Sequence, residues 1–165
     1  MNELSILLPI IIPLVGALLV IIVRQLGGAK EGAALLATTF SLVTAIMLYG
    51  RELSYSLPWA GFGMEFTLRL YHFSAFILLA VAVFAFLITL YCCSFMRGKS
   101  YGVWFYFYLL ISAAMVNGAV LADNLILMLF FWEGLLVTLF GIVAIAGKVE
   151  LKAATKAFII VGICD

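Results

Sequence analysis

Five almost unbroken apolar runs set the terms for any fold of this sequence: residues 4–23, 32–49, 73–96, 103–121 and 124–146. Each is about 18 to 24 residues long, which at about 1.5 Å of helical rise per residue matches a hydrocarbon core of roughly 30 Å. A sixth run, 153–165, is expected to stop short at Asp165, so the sequence reads as the front of a longer membrane domain. Lipid offers the backbone no hydrogen bonds, so spans of this length must be helices. Composition excludes the soluble alternative. Hydrophobic residues make up 67% of the chain and charged ones 10%, whereas soluble domains are roughly half apolar and a quarter charged. The expectation is an all-α, multi-pass integral membrane protein: five complete transmembrane helices and the start of a sixth, with 1–165 forming part of one domain.

Nothing at the N-terminus resembles a cleaved leader, because Met1-Asn2-Glu3 is acidic and the apolar run behind it is full length. Pro9 and Pro13 fall within this first span, where neighbouring helices or waters are expected to take up the carbonyls they free. With alternating helices, one side of the membrane receives Arg24, Lys30, Arg97, Lys99, Lys148 and Lys152, the other Arg51 and Arg69. Basic residues favour the cytoplasmic side. The N-terminus is therefore expected outside, in a prokaryotic cytoplasmic membrane, with 51–72 as an outer loop. In that loop Pro58, Gly61 and Gly63 precede an alternating run from Met64 to Leu70, which predicts a short strand, half of a hairpin on the outer surface. The brief link around Asp123 makes the fourth and fifth helices antiparallel neighbours.

Several chemistries are excluded for this stretch of chain. Cys92, Cys93 and Cys164 have no metal-ligand spacing and cannot supply the four thiolates of an iron–sulfur cluster. His72 is the sole histidine, too few for a bis-histidine haem or a histidine-based zinc site. No glycine-rich phosphate loop joins a strand to a helix. The expectation is no redox cofactor in this chain.

Glu133 is the residue that demands an explanation. It lies about nine residues, roughly 14 Å, from the outer end of the fifth run, where a carboxylate costs at least ~2.5–3.5 kcal/mol. Such a group must be paired, protonated or turned toward water. Dry surroundings favour a protonated carboxyl and a nearby cation favours the carboxylate, so a group held between the two can load and unload a proton. A protonated glutamate that merely bonds a neighbouring helix is the plain alternative. Lys156 is the second candidate. It shares a helix face with Lys152, one turn deeper, and snorkelling to the headgroups is its plain explanation. By helical rise it falls within ~8 Å of Glu133 in depth, close enough for direct or water-bridged contact. Asp165 lies nine residues beyond Lys156 on the opposite face and is the third ionisable group of the series. Elsewhere, Trp104 to Tyr108 reads as an interfacial aromatic belt. Gly134 and Gly141 permit close helix packing, Asp123 reads as an N-cap, and Arg97 and Lys99 read as cytoplasmic anchors.

The stretches Ala122-Asp123-Asn124-Leu125, Phe131-Trp132-Glu133 and Leu151-Lys152-Ala153-Ala154-Thr155-Lys156-Ala157-Phe158 resemble the antiporter-like membrane subunits of respiratory complex I. That superfamily also includes subunits of membrane-bound hydrogenases and of multisubunit Mrp-type cation/proton antiporters. The resemblance covers nearly the whole sequence. It implies that Glu133 is the fifth-helix glutamate that partners a lysine in a later broken helix, and that Lys156 is the sixth-helix lysine near it. Val161-Gly162-Ile163-Cys164-Asp165 resembles a segment that ends Gly-Asp in some members, with Cys164 here in place of the glycine. At the third helix, Leu70-Tyr71-His72-Phe73-Ser74 has Tyr71 where members often carry Asp.

The resemblance implies a fold of about fourteen helices, of which these would be the first. It implies a proton-translocating subunit of a redox-driven complex, of the NADH/quinone oxidoreductase or membrane-bound hydrogenase type. Iron–sulfur clusters, flavin or a nickel–iron centre would then reside in partner subunits, alongside further membrane subunits, and catalysis would belong to the complex rather than to this chain. The alternative is a subunit of an Mrp-type sodium/proton antiporter without a redox partner. A third reading is a scaffold that no longer conducts.

Overall fold

The computed structural model describes residues 3–25, 28–58, 65–145 and 147–164, apart from the side chains of 148–150 and 163–164. Its helices are α1 (Leu8–Ile22), α2 (Ala29–Leu48), α3 (His72–Phe95), α4 (Gly102–Leu121), α5 (Leu125–Ala144) and α6 (Lys148–Cys164). Short 3-10 turns, Glu3–Leu7 and Val23–Gln25, extend α1 at both ends, and two strands, β1 (Leu53–Pro58) and β2 (Glu65–Leu70), lie between α2 and α3. Five helical segments, the extended α1 and α2 to α5, are long and apolar enough to cross a membrane. α6 starts at Lys148, ahead of its apolar run. Lys148, Glu150 and Lys152 are good helix formers that hydropathy does not register.

α1 to α4 form a bundle in which α1 and α3 each pack against both α2 and α4. α5 lies on α4, and α6 on α5. The apolar interior falls into two clusters. One, around Leu48, Leu68, Leu78, Leu121 and Leu127, sits under the hairpin. The other, around Val20, Ala34, Cys92, Tyr106 and Leu110, sits at the opposite end.

Pro13 has no N–H to give to the Pro9 carbonyl, its acceptor in an unbroken helix. Asn117 of α4 fills the gap: its Nδ2 donates to that carbonyl at 2.7 Å, and the residue is 3% exposed. A neighbouring helix thus takes up the freed acceptor, as lipid requires.

The strands pair antiparallel, from Leu53 with Leu70 to Pro58 with Glu65, so the alternating run of the sequence is one half of a hairpin. Met64, Gly61 and Gly63 lie outside the described residues. Leu68 and Leu70 are fully buried. The free edge of β2 then captures the α4–α5 link. Leu68 bridges to Ala122, the Asp123 amide donates to the Thr67 carbonyl at 2.9 Å, and Asn124 Nδ2 donates to the Glu65 carbonyl at 3.0 Å.

The capping residue of α5 is Asn124, whose Oδ1 accepts from the Leu127 amide at 2.7 Å. This corrects the assignment of Asp123, which instead faces Arg69 at 3.9 Å on the surface. The helix begins one residue later than expected because the link is bonded to β2 through Asp123, and Asn124, extended at φ −133° and ψ 152°, takes the cap. At α3, Tyr71 is the N-cap residue and Ser74 accepts from its amide at 2.9 Å. An aspartate at Tyr71 would thus stand at a capping position, and the serine half of that cap is in place.

Candidate functional site

The face of α5 turned to α4 carries Leu127, Phe131, Thr138 and Gly141, all buried. Ser112 donates to Thr138 Oγ1 at 2.8 Å across this seam. The glycines make the close approach possible. A Cβ on Gly134 would come within 2.8 Å of Met115 Sδ, and one on Gly141 would collide with the Tyr108 ring. Packing two helices through small residues in this way is common in lipid.

Glu133 stands about 120° around the helix from that face, at 100° per residue. It lies eight residues into a twenty-residue helix, near mid-span, and is exposed. Among the described residues no salt bridge reaches it. Phe131, two residues earlier, is anchored edge-on against Phe66 of β2, with ring centroids 6.3 Å apart. The stretch of α5 that carries Glu133 is therefore fixed to both α4 and the hairpin, while the carboxyl faces away from both.

Lys156 is also exposed. α6 meets α5 through Ala154, Ala157, Phe158 and Val161, which with Leu136, Leu139, Phe140 and Val143 line an apolar cleft of about 170 Å³. Lys156 lies about 160° from that row, so it points away from α5. It sits four residues, about one turn, past Lys152 and eight past the first residue of α6, a rise of about 12 Å from the start of the helix. Glu133 and Lys156 thus approach similar depths from opposite sides of the membrane, but no salt bridge or hydrogen bond joins them in the structure. Asp165, the third candidate, lies outside the described residues. No cluster of three or more histidine, cysteine or acidic side chains that could hold a metal occurs among the described residues.

Two polar features escaped the sequence reading. One is Asn117 on Pro9, signalled only by an amide in an apolar run and a proline in another. The other is a polar cleft on the side opposite the hairpin, lined by Gly28, Lys30, Glu31, Cys93, Arg97 and Gly98. Its components come from α2, the end of α3 and the turn after it, so no local pattern announces it.

No family model matches the sequence, and no curated protein matches it. Solved structures do match. One is a chain of the membrane-bound sulfane sulfur reductase, an archaeal respiratory membrane complex, with a TM-score of 0.77 and 27% sequence identity. The match covers 96% of this chain and 25% of that one, so the chain spans about a quarter of its neighbour's length. The predominantly helical membrane fold is shared, and the likeness bears out the resemblance to antiporter-type subunits of the complex I and membrane-bound hydrogenase kind. The chain is a multi-pass membrane protein similar to a component of a respiratory membrane complex.

Proposed function

We propose that the chain is the leading part of a proton-translocating, antiporter-like subunit of a redox-driven membrane complex, with Glu133 as its proton-carrying group. The observation that carries this reading is the placement of Glu133: mid-span, exposed, and turned away from the bundle that fixes its helix. A carboxyl in that position takes a proton in dry surroundings and gives it up when water or a cation draws near. A lysine brought opposite Glu133 by a further part of the fold would hold it as carboxylate. Withdrawal of that lysine, driven by redox chemistry in partner subunits, would let the carboxylate accept a proton from one side. The lysine's return would expel that proton to the other side, the two groups titrating as a pair.

Lys156 faces away from α5, so its part is to tune or relay rather than to pair directly with Glu133. Asp165, further along the sequence, would extend the series. Iron–sulfur, flavin or nickel–iron centres would belong to the partners. The six basic residues opposite the hairpin support an orientation with the hairpin outside. Similarity to a respiratory complex favours the redox-driven reading over a sodium/proton antiporter.

The test is Glu133→Gln in the assembled complex. Electron transfer should continue, subunits should co-purify as before, and coupled proton movement should be lost. Undiminished pumping would remove Glu133 from the mechanism, and cation-dependent proton exchange without any electron donor would favour the antiporter.

A further inference from the structure

The cleft opposite the hairpin is separate from Glu133 and makes its own chemical demand. It holds about 360 Å³ between the start of α2 and the turn after α3. Inside is Glu31, whose side chain is 15% exposed; Oε1 lies 3.8 Å from Lys30 Nζ, and Oε2 is buried without a hydrogen-bond partner. At the mouth is Arg97, exposed and in no ion pair among the described residues. Lys99 is turned elsewhere, its Nζ 3.5 Å above the Phe95 ring. The lining therefore sets a carboxylate within and an unpaired guanidinium without, and its two cations outnumber its one anion. Behind Glu31, Cys93 Sγ lies 4.0 Å from the Glu31 carbonyl oxygen.

The level of the cleft identifies what it meets. Arg97 follows the last turn of α3, and Tyr101 and the half-exposed Trp104 open α4 beside it. Tyrosine and tryptophan gather where hydrocarbon gives way to headgroups. A guest from that layer with an ammonium directed inward and a phosphate outward would complement the cleft in sign and order. The ammonium would donate to Glu31 Oε1, which Lys30 Nζ, at 3.8 Å, leaves open to a hydrogen bond. The phosphate would be gripped by the Arg97 fork, which suits its geometry. A choline headgroup has the charge but no N–H to give, and a glycerol headgroup has neither.

We infer that this cleft holds the headgroup of an aminophospholipid, ammonium on Glu31 and phosphate on Arg97. The site does not depend on the role of Glu133. The full chain, reconstituted in phosphatidylcholine nanodiscs doped with equal small amounts of phosphatidylethanolamine and phosphatidylglycerol, is released and its retained lipids are weighed by native mass spectrometry. Phosphatidylethanolamine should be enriched over both others by roughly tenfold, the worth of one charge-assisted hydrogen bond. Glu31→Gln and Arg97→Gln should each abolish the enrichment, with helical content by circular dichroism unchanged, and Lys99→Gln should leave it intact. Equal retention of all three lipids by the unmodified chain would overturn the assignment without recourse to a variant. A preference for phosphatidylglycerol, meaning a merely cationic surface, would overturn it too, as would enrichment that survives both Glu31→Gln and Arg97→Gln.

Discussion

The bundle of α1 to α4 and the pair α5–α6 handle polarity in opposite ways. In the bundle, buried polar side chains are largely spent on structure. Asn117 serves the Pro9 carbonyl, and Thr38, Thr44 and Thr89 donate to carbonyls of their own helices. In the pair, Glu133 and Lys156 are exposed, and among the described residues no salt bridge joins either of them. The buried share of the spans falls accordingly, from 39% in the first to 22% in α5. The difference teaches that this chain spends the buried polar groups of its base on structure and carries its mid-span ionisable groups on the two helices added outside that base. Stability and proton chemistry should then be separable by mutation.

Glu133→Gln tests that separation most severely. It should eliminate coupled proton movement while leaving thermal stability in detergent unchanged; an unfolding shift as large as that of a core variant would break the comparison. Gly141→Leu attacks the seam between the two regions. Forcing a side chain into the Tyr108 ring should cost about 1–3 kcal/mol, read as a lower unfolding midpoint, with α5–α6 becoming protease-sensitive before α1–α4. Asn117→Leu acts wholly within the bundle. It leaves a carbonyl unpartnered in an apolar interior, a loss of about 0.6–2 kcal/mol on the scale of hydrogen bonds between membrane helices. Asn124→Ala should cost about 1 kcal/mol for the lost cap and remove one of the bonds that tie the link to β2, detectable as faster amide exchange at Leu127. Arg69→Ala should change stability by at most about 0.5 kcal/mol, because its partner Asp123 is well exposed and 3.9 Å away.

The spans and Glu133 could be read from the sequence because lipid imposes one rule on every residue of a helix, and hydropathy reports compliance with it. Features that depend on a second segment could not. The strand β2 showed itself by alternation, but β1 ends in a proline and is largely exposed, so its pairing became visible only in the register. Asp123 and Asn124 are both good caps by type. The choice between them was made by the Glu65 and Thr67 carbonyls, far away in the chain. For Lys156 the residue was legible but its direction was not, since the face of α6 is set by which small and apolar side chains fit α5. The cleft around Glu31 was hidden for the same reason: Arg97 reads as an ordinary anchor until Glu31 is seen behind it.

The clasp between β2 and the α4–α5 link also has a consequence for biogenesis. Thr67 and Asp123 are joined by a backbone hydrogen bond, yet all of α3 and α4 lies between them. A ribosome must therefore deliver both of those helices to the insertion machinery before the hairpin can be locked. Until Asn124 has emerged, β2 waits with an open edge. The clasp can close only once the chain that opens α5 has been made, which ties the completion of the hairpin's contacts to the arrival of the helix that carries Glu133.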